Sequence, residues 1–455
     1  MTTSTAPPRP RAVLLGVQLP GVEERELASS LDELARLAKT LGFQVIGRVT
    51  QRRTRLDPGA VVGAGKLKEL AEWTGGTGVV PVGPPKARRS PSEEPADEVS
   101  EEPSREPARS EADRAGLLLV DHELTPSQAL NLERATGAEV LDRTAVILAI
   151  FQRHAKSREA RLQVEIARLS YIAPRLREIG GGRDREGGGI GGRGAGESAS
   201  ELDRRKVRDR IAALRAELAA IERESGTRRK RRAEQNTVAL VGYTNAGKSS
   251  WMRALTRSDV HVEDKLFATL GTTVRALWPE GATRVLVSDT VGFIKHLPHD
   301  LVASFRSTLD EARESDLLLH IADASDPAFE EQIAVTCEVL AQVGAAEIPR
   351  RIVLNKADRL DAAARAQIAA AHPDALLLSA KRSEDAATLR AALLDYFERD
   401  MEEDELVVPY ALGRVVAEAH ARGHVLAETH DAFGTRLVVR ASREVLARLR
   451  AALDG

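Results

Sequence analysis

The chain has 455 residues, room for about three domains and a sizeable core, with the 42% hydrophobic and 29% charged content of a globular protein. Lys and Arg number 66 against 68 Asp and Glu, which excludes a uniformly basic nucleic-acid coat, and 3% aromatic residues leave little for base-stacking platforms. The single cysteine, Cys337, excludes a disulfide framework and multi-cysteine zinc sites and points to a reducing cytosol.

The opening MTTSTAPPRPR lacks the charged and apolar regions of a signal peptide and does not read as secreted; residues 1–10 are expected to be a disordered N-terminus. From residue 11 to 151, strand-like runs (Ala12 to Val17, Phe43 to Ile46, Gly116 to Val120) alternate with helical stretches (Glu26 to Leu41, Thr125 to Thr136). That pattern predicts a small N-terminal α/β domain. Residues 81–114 interrupt it with a stretch rich in proline and carboxylates and nearly free of large apolar side chains, expected to be a disordered insertion.

Residues 152–226 carry two seams at alternating steps of four and three. The first is Leu162, Ile166, Leu169, Ala173 and Leu176; the second is Val207, Ile211, Leu214, Leu218 and Ile221. They flank a glycine-rich loop at 180–200, so an antiparallel helical hairpin with a long tip is expected. Arg183, Arg185 and Arg193 with the tip's many glycines suit close approach to phosphates and bases, although the composition alone favours a linker. Arg204, Arg205, Lys206, Arg208 and Arg210 are either a phosphate-binding face or a solvated one. The run Arg228 to Arg232 within 227–235 reads as a basic linker.

Residues 236–400 alternate strands and helices in the manner of a doubly wound parallel sheet. At its start Gly242, Tyr243, Thr244, Asn245, Ala246, Gly247, Lys248 and Ser249 spell G-x-x-x-x-G-K-S, after a predicted strand (Thr237 to Val241) and before a helical pattern. Such a loop turns its N–H groups toward phosphate oxygens. Lys248 would reach the β and γ phosphates and Ser249 would bind Mg²⁺. Asn245 either coordinates potassium beside the phosphates or hydrogen-bonds its own loop. Asp289, Thr290, Val291 and Gly292 follow the apolar run Val285 to Val287. Asp289 can hold magnesium and the Gly292 N–H can meet the γ-phosphate. Phe293 stands where many GTPases keep a water-orienting glutamine; either hydrolysis is slow until another group completes the site, or the ring merely packs.

Asn355, Lys356, Ala357 and Asp358 follow the strand Arg351 to Leu354, and Ser379, Ala380 and Lys381 follow Ala375 to Leu378. Both groups sit at carboxyl ends of strands, where open α/β sheets bind ligands. The Asp358 carboxylate can accept from the guanine ring N–H and exocyclic amine, the Lys356 stem can cover the base, and the Ala380 N–H can donate to the guanine oxygen. The four motifs in order predict a GTPase. The tail, 401–455, reads strand, helix, two strands and helix, with a hairpin turn at Asp431 to Gly434, a small α+β domain. Its apolar runs, like Ala145 to Phe151 and Leu317 to Ala322 before it, fall far short of the roughly 18 residues that span a bilayer, so membrane contact is expected to be peripheral at most.

The chain resembles the HflX GTPases over nearly its whole length. The resemblance rests on VGAGKLKEL (Val62 to Leu70), DHELTPSQALNLE (Asp121 to Glu133), LQVEIARLSYIAPRL (Leu162 to Leu176), the glycine-rich tip, LFATL (Leu266 to Leu270) and DTVGFIKHLPHDLVASFRSTLDEA (Asp289 to Ala312). It implies a monomeric cytoplasmic factor that binds the large ribosomal subunit and its RNA, splits or rescues stalled ribosomes under stress, and hydrolyses GTP slowly until the ribosome stimulates it. The family motif adds Phe267, Ala268, Thr269, Leu270 and Gly271 to the nucleotide site. Thr269 is its switch threonine and a Mg²⁺ ligand with Ser249 and Asp289, and is implied to act in catalysis with Lys248 and Gly292. Because Gly271-Thr272 stands where the family has Asp-Pro, Thr273 remains an alternative. The expected fold class is α/β: a P-loop GTPase domain on a doubly wound, mostly parallel sheet, preceded by a small α/β domain and a helical hairpin and followed by an α+β domain. The other reading is a GTP-regulated adaptor that binds proteins without RNA contact.

Overall fold

The structure is a computed structural model that describes residues 9–80, 114–180, 199–232, 235–258, 266–267, 273–279, 283–295 and 306–454. The chain forms two compact units that meet, along the sequence, within one long helix after Leu218.

The first unit opens on β1 (Arg11–Gln18), whose run of apolar residues is buried on both faces, as in a central parallel strand. Helix α1 (Glu24–Leu41) turns Leu27, Leu31, Leu34 and Leu37 inward and ends on Gly42 in the left-handed conformation. Strands β2 (Gln44–Arg52), β3 (Leu117–Val120) and β4 (Glu139–Asp142) complete a parallel sheet in the order β2-β1-β3-β4. Helices α2 (Ala64–Thr74) and α3 (Pro126–Thr136) enclose Val13, Leu15, Leu70, Leu118 and Leu132 in one core. The other face carries α1 and α4 (Arg143–His154).

Four of these elements depart from the expectation, β4 and α4 being a strand and a helix that the sequence pattern did not name. Strand β2 runs well past Ile46, because an edge strand tolerates the Arg and Gln that hide its alternation. Helix α2 was not expected, since Gly63 and Gly65 break the pattern; its entry is built by Asp57, whose carboxylate accepts from the N–H groups of Gly59 and Ala60. Ordered chain also starts before residue 11, the Pro10 carbonyl accepting from the N–H of Gln44. The remainder of the expected disordered stretches, 1–8 and 81–113, lies outside the described residues.

Helices α5 (Arg158–Gly180) and α6 (Ala199–Arg232) form the hairpin. Arg158 pairs with Glu217 at 2.7 Å and Arg210 with Glu165 at 2.9 Å, so the two helices run antiparallel. Burial on α5 is broader than a heptad seam, taking in Ala160, Gln163, Val164 and Ala167, because α5 also packs on α3 and α4. A buried node fixes that packing: the Asp142 carboxylate caps α4 at Ala145 and accepts from Leu124 N, Tyr171 Oη and Arg175 Nη2, at 2.8 to 3.2 Å. The basic run is not a linker, since α6 continues to Arg232; arginine and lysine are good helix formers, and a lone Gly226 does not stop the helix. The tip, 181–198, lies outside the described residues.

In the second unit, described residues form a six-stranded sheet in the order β10-β9-β8-β5-β7-β6. Its members are β5 (Asn236–Gly242), β6 (Thr273–Ala276), β7 (Val285–Asp289), β8 (Leu317–Asp323), β9 (Arg350–Asn355) and β10 (Leu376–Leu377), and β6 alone is antiparallel to its neighbour. Helices α7 (Lys248–Thr256) and α11 (Ser383–Glu398) cover one face around Trp251, Met252, Leu389 and Leu393. Among the described residues three helices lie between them in sequence: α8 (Arg306–Arg313), α9 (Phe329–Gln342) and α10 (Ala362–Ala371). The tail forms β11 (Met401–Val408), α12 (Gly413–Arg422), β12 (His424–His430), β13 (Thr435–Ser442) and α13 (Arg443–Asp454), with sheet order β11-β13-β12. Asp431 makes the expected turn by accepting from the N–H groups of Phe433 and Gly434. Among the described residues no helix is long and apolar enough to cross a membrane.

Candidate nucleotide site

Gly242 to Ser249, Asp289 to Gly292, Asn355 to Asp358 and Ser379 to Lys381 lie at one end of the second unit's sheet, where β5, β7, β8 and β9 finish. Strand β5 ends on Gly242 (φ 144°), where a Cβ would stand 2.1 Å from the Ile321 carbonyl oxygen of β8. At Gly247 (φ 102°) a Cβ would strike the Asn355 amide at 2.1 Å. The loop between them can therefore close only with glycine at both ends. Helix α7 starts at Lys248 directly behind the loop, so its first N–H groups have no partner within the helix and face an incoming anion.

The Lys248 ammonium donates to the carbonyls of Gly242 (2.9 Å) and Tyr243 (2.8 Å). Burial pushes it down to about 8, against the pull of the Asp289 carboxylate, which raises it. A buried cation with only carbonyl partners is poised to gain from phosphate oxygens. The Ser249 hydroxyl donates to Asp289 Oδ2 at 2.8 Å, which brings the two candidate metal ligands together. A hydroxyl and a carboxylate are hard oxygen donors of the kind Mg²⁺ takes. Thr290 donates to the Leu240 carbonyl and holds the start of the D-x-x-G segment against β5.

Gly292 comes so close to the loop that a Cβ would lie 2.9 Å from Thr244 Cα and 3.0 Å from Lys248 Nζ. The next residue, Phe293, is buried to 1% exposure. Its N–H donates to the Gly242 carbonyl (3.1 Å) and its carbonyl accepts from Thr244 N–H (2.7 Å). The ring is packed, and a buried phenyl orients no water, which is compatible with both readings of Phe293.

Asn355 joins the phosphate side to the base side. Its Nδ2 donates to the Ala246 carbonyl (2.7 Å) and its Oδ1 accepts from Ala380 N–H (3.1 Å). Lys356, in the left-handed conformation, donates to the Asn245 carbonyl (2.8 Å) and pairs with Asp323 at 2.6 Å. Ala357 N–H donates to the Leu378 carbonyl. The Asp358 carboxyl is lowered from its ordinary value, chiefly by the Ser379 hydroxyl, which donates at 2.6 Å, and further by Lys381 at 3.5 Å. The structure thus keeps Asp358 ionised, as an acceptor for paired N–H donors.

Ala268, Thr269, Leu270 and Gly271 lie outside the described residues. Phe267 is buried, with φ 58°. Thr273, the alternative switch threonine, opens β6 directly opposite Asp289. The Asn245 side chain is exposed and its backbone is left-handed (φ 60°). Sequence reasoning missed two acidic residues. Asp323 closes the apolar strand β8, a position that could have flagged it; Asp385, which accepts from Ser379 N–H at 2.8 Å, carries no such signal.

Comparisons with known proteins fit this geometry. A model described as 50S ribosome-binding GTPase matches residues 237–356. GTP-binding GTPase N-terminal matches 28–81 and 104–152, and GTP-binding GTPase Middle Region matches 154–232. The chain is 56% identical over 449 residues to GTPase HflX of Gluconacetobacter diazotrophicus, covering 99% of both chains. It is 38% identical over 442 residues to GTPase HflX of Caldanaerobacter subterraneus, covering 97% of this chain and 93% of the relative. With GTPase HflX of Escherichia coli the identity is 39% over 333 residues, covering 73% and 70%.

Proposed function

The chain belongs to the HflX family of GTPases and carries a GTPase domain of the ribosome-binding kind, and from that premise we propose that it uses GTP to act on the large ribosomal subunit, splitting or rescuing stalled ribosomes under stress. The observation that carries the reading is likeness along the whole chain, hairpin and N-terminal domain included, to relatives of that family.

In this reading the chain hydrolyses GTP to GDP and phosphate at the site described. The N–H groups at the start of α7 and the Lys248 ammonium hold the β and γ phosphates. Ser249, Asp289 and Thr269 would hold Mg²⁺, which when bound neutralises charge on the phosphate oxygens. Asn245 is the residue available to potassium. Asp358, Lys356 and Ala380 select guanine. With Phe293 buried and no glutamine in its place, intrinsic hydrolysis is slow, and the ribosome supplies the missing alignment.

The hairpin reaches the ribosomal RNA. On α6 the exposed Arg205, Lys206 and Arg208 supply further cationic surface. Such a factor works in the cytoplasm as a monomer, and any membrane contact is peripheral.

The test is co-sedimentation with large ribosomal subunits, with and without a non-hydrolysable GTP analogue, together with phosphate release. Analogue-dependent co-sedimentation and faster release with subunits are expected. Deleting Gly187 to Gly196 should leave intrinsic release nearly unchanged and remove most of the stimulation. A protein that ignores ribosomal subunits in both nucleotide states would overturn the reading and favour a protein-binding adaptor.

A further inference from the structure

Three hydrogen bonds close the chain just past the D-x-x-G motif onto the phosphate loop. Two are the backbone pair between Phe293 and the Gly242–Thr244 stretch, at 3.1 and 2.7 Å. The third is made by a side chain of the loop itself: Tyr243 Oη accepts from the backbone N–H of Lys295 at 2.8 Å. Tyr243 is 4% exposed and Lys295 8%, so the bond is sheltered from water. The Lys295 ammonium is held in turn by Glu331 of α9.

With this clasp closed, Gly292 lies against Thr244 and the Lys248 ammonium, so closely that one added carbon would be 3.0 Å from Nζ. The same closure buries the Thr244 hydroxyl, which has no hydrogen-bond partner among the described residues. A buried, unpaired hydroxyl is a cost of the closed state that opening returns.

The space between Lys248 Nζ and Gly292 is where a γ-phosphate belongs when a P-loop lysine reaches the β and γ phosphates. A diphosphate needs only the loop and the start of α7. We propose that Tyr243 is a specificity-determining residue: its phenol, clasping Lys295 N–H, holds the segment closed and thereby sets how strongly the site favours GDP over GTP. The inference rests on the nucleotide site described above and goes one step past it.

The mechanism is a population shift. A ligand compatible with both states gains nothing from opening, whereas a ligand that fits only the open state binds more weakly by the closed fraction. Each contact removed from the clasp must therefore tighten the triphosphate and leave the diphosphate alone.

Tyr243→Phe keeps the ring and removes the acceptor, which leaves Lys295 N–H buried without it. Binding of GDP and of a non-hydrolysable GTP analogue to the full chain is measured by calorimetry at fixed magnesium. The analogue is expected to bind about tenfold tighter than to the parent, the scale of one buried donor losing its acceptor, with GDP unchanged. Glu331→Gln loosens the other hold on Lys295 from outside the nucleotide site. It should shift the same ratio in the same direction by about twofold, because Glu331 is half-exposed.

An unchanged ratio in both variants, or a weaker analogue with GDP intact, would overturn the proposal and leave the nucleotide site standing. Parallel loss of both nucleotides in Tyr243→Phe would also overturn it, since the phenol would then be supporting the loop rather than the clasp. If the parent binds neither nucleotide, the site reading fails first and the inference falls with it.

Discussion

Asn355 hydrogen-bonds both halves of the nucleotide site, so its removal tests whether they act as a unit. In Asn355→Ala the Ala246 carbonyl loses the Nδ2 donor (2.7 Å) and Ala380 N–H loses the Oδ1 acceptor (3.1 Å). Asn355 is 2% exposed, so water cannot replace it without local opening. Each buried group left unpaired costs about 1–3 kcal/mol, and the two together about 2–4 kcal/mol once partial relaxation is allowed. Because Ala246 belongs to the phosphate loop, the loss of its donor should appear in affinity as well as stability. GDP should bind about thirtyfold or more weakly, and the second unit should unfold several degrees lower. Asn355→Asp separates the two ends: its carboxylate still accepts from Ala380 N–H but now faces the Ala246 carbonyl, so it should be at least as damaging to phosphate binding. Calorimetric GDP binding and thermal unfolding, with and without GDP, read both quantities. If Asn355→Ala binds GDP as tightly as the parent while losing stability, the bridge is a packing device and the two halves are energetically separate.

Asp358→Asn should move preference from GTP toward xanthosine triphosphate, since an amide donates to the oxygen that replaces the guanine amine; equal GTP affinity in mutant and parent would remove Asp358 from the base site. GDP binding, measured without magnesium so that Ser249 and Asp289 keep their contact, should take up a proton as pH rises, because Lys248 sits at about 8 in the free site and phosphate oxygens restore its charge. From pH 7 to 8.5 the affinity should fall about fourfold, with about three-quarters of a proton taken up at the upper end; a flat profile contradicts the buried ammonium. The same depression gives the nucleotide-free unit a rise in stability as pH climbs from about 8 to 10.5, the unfolded lysine there holding a proton that the folded one has lost. Asp142→Asn should cost the first unit about 2–4 kcal/mol, as a buried carboxylate with four donors, one of them Arg175, becomes a neutral amide. Its calorimetric transition should drop while intrinsic GTP hydrolysis holds; an unchanged transition would contradict the buried node.

How far the sequence could be read follows from what each feature is made of. Side-chain chemistry at fixed spacing was legible: Lys248, Ser249, Asp289, Asn355 and Asp358 converge as their motifs imply, because a P-loop and strand ends leave few ways to arrange them. Periodicity carried most helices and strands, and failed where another interaction overrides it. The entry to α2 depends on Asp57 accepting from Gly59 and Ala60, and the far end of α6 depends on arginines continuing a helix past Gly226. Partnerships between distant elements were illegible, as in the convergence of Tyr171 and Arg175 on Asp142. Phe293 is the sharpest case. The residue type says only that no glutamine is there, whereas its main observed role belongs to its backbone, whose N–H and carbonyl join the phosphate loop, and a backbone bond leaves no mark in the sequence. What the sequence does expose is the tyrosine two residues before Asn245, and its phenol fixes Lys295, two residues beyond that bridge. A phenylalanine that packs and a tyrosine that clasps therefore describe one closed segment, and a substitution at Phe293 that keeps the ring buried, such as Phe293→Leu, should alter hydrolysis far less than the loss of a water-orienting group would.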